Sequence, residues 1–420
     1  MLNDDNSRVV LNEYHPMKME VLSEHAGFAC RRAVGEGYYD EKRDRTWISW
    51  NEKGMAIYIA YFDHEKGIWS KPEQVWDCGL YGRWDYHDYV TMIPDRNGEP
   101  FLIYHIHSQM SYIIRKNSEG RWERKVLSED QNDYPAPVRW RDCIFYFYSR
   151  NEEISWPYRP LCFMKSMDDG ETWKEPKVIV DSQKAEPEKF DEVYQSNVVF
   201  APAGNGFPDR FLITFTMWGG ERHAYRGKGA YCFAFYPEDE RCYDLEGNCL
   251  GESVLYEDMV NICQADPGSI SDSNKYFHVT YGPLVSVDEK NTPIVVYGHR
   301  DEKRTGLYMA VQKSGRWETK MISDQMWNIK DMERIGNGIE LAVCCEGSIV
   351  IYRKEDGQDM FRIRSVTTIP HANGSNSVPW LNFITGGKNR PKLLLGLINR
   401  DDIEGYYSGK WPVVVLSQEE

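Results

Sequence analysis

The sequence predicts an all-β protein: a single seven-bladed β-propeller of four-stranded antiparallel blades over residues 1–420. Three observations predict it. Helical periodicity is almost absent. Short alternating or apolar runs recur instead, bounded by Gly, Asn, Asp and Pro. A Gly turn followed by Trp, polar residues and an apolar run returns after about fifty residues, the length of a four-stranded blade.

The blades are expected in order. The first covers 26–76, with "RTWISW", "MAIYIAYF" and "GIWSKPEQV" from Gly67. The second covers 85–128, with "PFLIYHIH" and "GRWERKVL" from Gly120. The third covers 134–180, with "CIFYFYS" and "GETWKEPKVI" from Gly170. The fourth, 190–256, is long and carries the Gly-rich insertion "MWGGERHAYRGKGAY". The fifth covers 276–322 and repeats the turn in "GRWETKMI" from Gly315; the sixth and seventh cover 328–368 and 376–418. No Ser/Gly/Pro-rich linker divides the chain. Ser166-Met167-Asp168-Asp169-Gly170-Glu171-Thr172-Trp173 matches the Asp-box turn S-x-D-x-G-x-T-W, which is scaffold: Ser and Asp tie the turn and Trp packs between blades.

Composition narrows the partners. Hydrophobic residues make up 41% of the chain and aromatics 14%, enough for a large core. Fourteen Trp and 27 Tyr suit strands and also sugar clefts, where flat rings stack on pyranose faces. A net charge of −15 without a basic stripe argues against nucleic acid, and an acidic substrate needs a local basic pocket. "MLNDDNSRVVLNEYHP" has no signal-peptide pattern, and no run reaches membrane-spanning length. The ten cysteines, including Cys344-Cys345, show no metal-ribbon spacing, so reduced buried thiols and a cytoplasmic location are expected. A secreted protein whose leader had been removed would read the same way.

The chemistry concentrates in "WDYHDYVTMIPDRNGEPFLIYHIHSQM", from Trp84. His87 precedes one strand of a hairpin, and His105 and His107 end its partner. With a period of two, His105 and His107 point the same way, so His87 can meet at least one of them at a channel mouth. "NDYPAPVRW" places Tyr134 before a strand, and "CIFYFYSR" ends on Arg150. "VYQSNVVF" places Tyr194 likewise, and the insertion adds His223, Tyr225 and Arg226. A lone strand histidine is usually structural; several converging with an arginine point to a site.

"DYHDYVTMIPDRNGEPFLIYHIH" and "DYPAPVRWRDCIFYFYSR" resemble segments of the BNR-repeat polysaccharide lyases, which include ulvan lyases and rhamnose–glucuronate lyases. The resemblance covers roughly residues 80–240. It departs at Asp88-Tyr89-Val90, where the family commonly has Asn and Pro. The resemblance implies a lyase that cleaves the glycosidic bond to O4 of a uronate, such as a rhamnosyl–glucuronate linkage, in an acidic oligosaccharide or polysaccharide. Tyr134 would be base and acid, and Arg150 with a histidine would bind the uronate carboxylate. His87, His107 and Tyr194 would complete the subsite boundary; His107 matches the second family histidine better than His105 does. His105, His223, Tyr225 and Arg226 are further substrate-binding candidates.

Elementary chemistry suits that set. The C5 proton is weakly acidic, so a cation must stabilise the developing enediolate. In a glucuronate chair H5 and O4 share a face, and one side chain can take the proton and return it. No cofactor is required, although a structural metal ion fits the expectations too. The three histidines could instead bind zinc, but they share a hairpin without the usual ligand arrangement. A sialidase-like hydrolase would carry an early Arg-Ile-Pro and more Asp-boxes. A non-catalytic sugar-binding propeller would tolerate Tyr134→Phe.

Overall fold

The computed structural model describes residues 16–27, 37–80, 87–107, 109–151, 158–182, 191–219, 225–264, 279–301, 304–325, 328–345, 348–369, 380–386, 391–397 and 411–418. Among them the helical turns are short 3-10 pieces, Lys53–Met55 and Tyr256–Asp258. The remaining regular structure is strand, arranged in six sheets, and the fold is a β-propeller.

Two sheets are plain four-stranded meanders: Val279–Val287 to Arg316–Ser323, and Asn328–Ile335 to Arg362–Thr368. The sheet built on Gly37–Asp40 has five strands, and the one built on Asp191–Ala201 has six. Counted as sheets there are six among the described residues, where seven blades were expected. The physical reason is the 19-residue strand Trp122–Trp140. Its first half pairs with Gln109–Lys116 and its second with Cys143–Arg150, so it fuses what the sequence divides at residues 128 and 134 into one eight-stranded sheet.

The last sheet holds a second departure. Lys18–Ser23, which precedes every expected blade, pairs antiparallel with Val413–Ser417, with Lys18 opposite Ser417. This joins the two ends of the chain in one sheet and covers an edge. Seven strands contact one another in turn, from Gly37–Asp40 through Tyr89–Pro94, Trp122–Trp140, Asp191–Ala201, Val279–Val287 and Asn328–Ile335 to Trp380–Phe383. A bridge between Tyr38 and Thr385 closes the circuit.

Alternation fixes the packing. In Cys143–Arg150, Ile144, Tyr146 and Tyr148 face one core cluster, while Phe145 and Phe147 face another. Phe145 and Phe147 meet Phe211 edge-to-face, and Phe163 meets Phe235 likewise with centroids 4.9 Å apart, which binds that strand group to the next. The Asp-box acts as scaffold. Ser166 Oγ accepts from Gly170 N at 2.7 Å, and Asp168 accepts from Thr172 N and Oγ1 at 2.9 and 2.6 Å. Trp173 packs against the cluster that contains Phe101 and Tyr146. The eight described cysteines carry free thiols, and six of them are buried.

Candidate functional site

The site forms at one end of the seven contacting strands. Tyr89 pairs with His105, which brings His87, just ahead of the one strand, beside His107, just after the other. The His87 and His107 rings lie 4.2 Å apart, centroid to centroid. Asp88 anchors the turn, its Oδ1 accepting from the His107 backbone N–H at 2.7 Å. His105 is fully buried and packs edge-on against Tyr89 at 4.7 Å; the His107 side chain is 31% exposed.

Tyr134 enters from the continuous strand. The register shifts between Asp133 and Ala136, and Tyr134 adopts φ +59°, a left-handed conformation that non-glycine residues rarely take. Such strain at a buried tyrosine persists only where its surroundings hold it. The ring stands 6.3 Å from His87 and 5.5 Å from Tyr194, and Tyr194 stacks on Trp218 at 4.2 Å. The structure thus brings His87, His107, Tyr134 and Tyr194 into one cluster.

Beneath them lies an ionic set that the sequence did not reveal. Arg159, 5% exposed, places its guanidinium 4.7 Å from the Tyr194 ring and 5.8 Å from that of Tyr134. Its Nη2 is 3.4 Å from Asp133 and its Nε 3.7 Å from Glu192, and both carboxylates are buried. Asp133 also sits 3.5 Å from His105 Nε2 and 3.8 Å from His107 Nε2, and accepts from Asn151 Nδ2 at 2.9 Å. Burial pushes the Asp133 carboxyl up, but His105, Arg159 and His107 together outweigh it and hold the group well below the usual carboxylate range. Burial likewise works against the Arg159 charge, and the tyrosines, Asp133 and Glu192 more than restore it.

Arg150 ends the strand Cys143–Arg150, which pairs with the strand that carries Tyr134. It pairs with Asn132 at the strand end, donates its backbone N–H to Pro160 O at 3.1 Å, and its charge acts on Tyr158. The cation against the tyrosine rings is Arg159. Tyr225 and Arg226 begin the strand Tyr225–Tyr236, with Tyr225 opposite Gly219, but their side chains lie outside the described residues, as does His223. Among the described residues no group of three His, Cys, Asp or Glu side chains is spaced to hold a metal ion. A cavity of about 960 Å³ opens at the opposite ends of the same strands, lined by Tyr38, Pro94, Arg139, Phe200, Asp331 and Glu333. It is separate from the histidine–tyrosine cluster.

Fold and site define a β-propeller with a histidine–tyrosine–arginine cluster at one end of its seven contacting strands. Residues 45–325 match the model of the BNR repeat-containing family, and the chain belongs to that family. No curated protein matches the sequence. Among solved structures, a PL25 ulvan lyase bound to GlcA(1-4)Rha3S is similar, with TM-score 0.72 over 96% of each chain and 14% identity. The polysaccharide lyase Uly1 is similar over 97% of this chain and 100% of its own, with TM-score 0.64 and 12% identity. At such identities the likeness is one of fold.

Proposed function

We propose that this protein is a lyase that cleaves the glycosidic bond to O4 of a uronate, in an acidic oligosaccharide or polysaccharide of rhamnosyl–glucuronate type, by β-elimination. The observation that carries the reading is the convergence of His87, His107, Tyr134 and Tyr194 over a buried arginine. The resemblance of those segments to BNR-repeat lyases, and the fold shared with two polysaccharide lyases, support it.

Tyr134 takes the C5 proton. The C5–H electron pair becomes the C4–C5 double bond, the C4–O4 bond breaks, and the departing O4 recovers a proton from Tyr134. An adjacent cation lowers the cost of the tyrosinate, and Arg159 lies against this ring. Arg150 and His107 neutralise the carboxylate as the enediolate forms, a role suited to a permanent planar cation and a strong N–H donor. Trp218, by stacking on Tyr194, fixes the ring that borders the sugar. A glycosidase would need two carboxyl groups facing the bond. The carboxylates described in this cluster, Asp88, Asp133 and Glu192, are all buried.

The test is a screen of uronate-containing oligosaccharides, rhamnose–glucuronate units among them, for the ultraviolet absorbance of a 4,5-unsaturated uronate. Its appearance supports the reading. Release of saturated sugars alone, or binding without turnover, refutes it.

A further inference from the structure

The cavity of about 960 Å³ at the opposite end of the seven contacting strands takes no part in the cleavage proposed above, yet it has the size of a small-molecule site. We infer that it is a second binding site, for a small organic ammonium ion with an apolar body. This holds whether or not the protein is a lyase.

Charge sets the class of ligand. Asp331 and Glu333 are two apart on the strand Asn328–Ile335, and both line the cavity. Asp331 accepts from the N–H groups of Met332 and Phe383 at 2.8 and 2.7 Å, and Glu333 accepts from that of Gly386 at 2.9 Å. These donors are neutral backbone groups, and no ion pair joins either carboxyl among the described residues. Lys392, whose charge reaches Glu333, gives its ammonium to Glu340 at 2.6 Å. The cations on the cavity wall are already paired. Arg139 donates to Asp169 and to Pro94 O, and Arg334 forks onto Asp356 at 2.6 and 3.0 Å. Lys290 is exposed, with Asp288 and Glu289 just before it. The wall therefore carries negative charge that no cation neutralises. Burial, and then Asp331, raise Glu333 from 4.5 to about 8, and burial raises Asp331 from 3.8 to about 6. A cation in the cavity relieves both.

The rest of the wall sets the ligand's body. Met92, Val198, Phe200 and Phe383 supply apolar surface. Tyr38 donates its hydroxyl to Gly98 O at 3.0 Å, so it adds a ring to the wall. Aromatic walls favour a cation further. A hard divalent ion fits less well. It takes about six or more oxygen ligands, and among the described residues no group of three His, Cys, Asp or Glu side chains is spaced to hold one. An ammonium group needs only a charge-assisted contact to the carboxyls, while its carbon skeleton displaces water from the apolar wall.

Tryptamine, indole-3-ethanol and indole-3-acetate share one ring system and end in a positive, a neutral and a negative group. Their binding to the full chain is measured by ligand-observed NMR at about pH 8, where an alkyl amine is charged. Tryptamine should bind about ten- to a hundred-fold more tightly than the alcohol, the worth of hydrogen bonds to a charged group, and indole-3-acetate should bind most weakly. Glu333→Gln keeps the shape of the side chain and should weaken tryptamine about tenfold or more. Tyr134→Phe, at the other end of the strands, should leave tryptamine binding unchanged. Should Glu333→Gln fail to fold, the order of the three probes on the wild type decides. Equal binding of amine and alcohol, tighter binding of the acid, or no binding of any probe overturns the inference. A folded Glu333→Gln that binds tryptamine as the wild type does overturns it too. So does loss of tryptamine binding in Tyr134→Phe, which would place the amine at the histidine–tyrosine cluster.

Discussion

Arg159→Met removes the cation but keeps most of the side-chain volume, so the loss it causes is electrostatic. In the folded protein the guanidinium is 5% exposed and lies 3.4 Å from Asp133 and 3.7 Å from Glu192. Breaking a buried ion pair by deleting one partner costs about 3–5 kcal/mol, because the carboxylate left behind stays desolvated. For a chain of 420 residues the unfolding entropy is large, and that loss becomes a fall in Tm of about 3–6 °C. The pH dependence has a definite sign. In the wild type the Asp133 value is depressed on folding, so its stabilisation is present above the unfolded-state value of about 3.9 and is lost as pH falls through the lower folded one. In the variant, without its cation, the same carboxyl should titrate above its unfolded value and regain stability on protonation. The Tm gap between wild type and variant should therefore be widest at neutral pH and narrow as pH falls toward about 4. Scanning calorimetry of both proteins across that range measures it. A gap below about 1 °C at neutral pH, or one that does not change with pH, refutes the assignment of Arg159 as the charge that holds the site together.

Further outcomes follow from single residues. Tyr134→Phe should stay folded and bind substrate, with elimination reduced about a hundred- to ten-thousand-fold, as read in steady-state rates. Arg150→Ala should lower kcat/KM on a glucuronate substrate by about a hundred- to a thousand-fold if Arg150 stabilises the enediolate; unchanged turnover assigns that work to another cation. Gly170→Ala should destabilise by about 2–4 kcal/mol in chemical denaturation and leave the turnover of the folded fraction unchanged. Its φ is +86°, and a Cβ would sit 2.6 Å from the Phe101 ring. Glu333, raised by burial and then by Asp331 from 4.5 to about 8, costs the fold stability as pH rises between those values. Glu333→Gln should raise Tm near pH 8 and make no difference below the unfolded carboxyl value, as thermal melts at both pH values will show.

The parts of this protein that depend on short-range pattern were readable in the sequence. Between the two strands of the histidine hairpin, Asp95 accepts from the N–H groups of Asn97 and Glu99, and Gly98 takes φ +80°. Ser166, Asp168 and Gly170 close the Asp-box turn as their spacing implied. The meeting of His87 and His107 follows from a hairpin with one histidine at the start of a strand and one at the end of its partner. What sequence could not show depends on distant strands. Arg159 precedes an apolar strand and resembles any solvated arginine. Its partners Asp133 and Glu192 come from two other strands, and only folding makes them neighbours. Its flanks, Tyr158 and Pro160 ahead of "LCFM", do not say which way the side chain points. Fusion of two sheets through Trp122–Trp140 was hidden because "SEDQND" reads as a loop. In the structure it continues the strand across shifts in register. The pairing of Lys18–Ser23 with Val413–Ser417 joins segments at opposite ends of the chain, where local pattern carries no information.

The central claim is that the bond is broken by elimination through Tyr134 without water. Cleavage of a rhamnose–glucuronate oligosaccharide in water enriched in heavy oxygen tests it most directly, with the products weighed by mass spectrometry. Elimination gives two fragments that sum to the mass of the substrate, with no heavy oxygen beyond the slow reducing-end exchange that a control without enzyme measures, and both vanish with Tyr134→Phe. Fragments that together gain one water and carry the label would contradict it and make this protein a hydrolase.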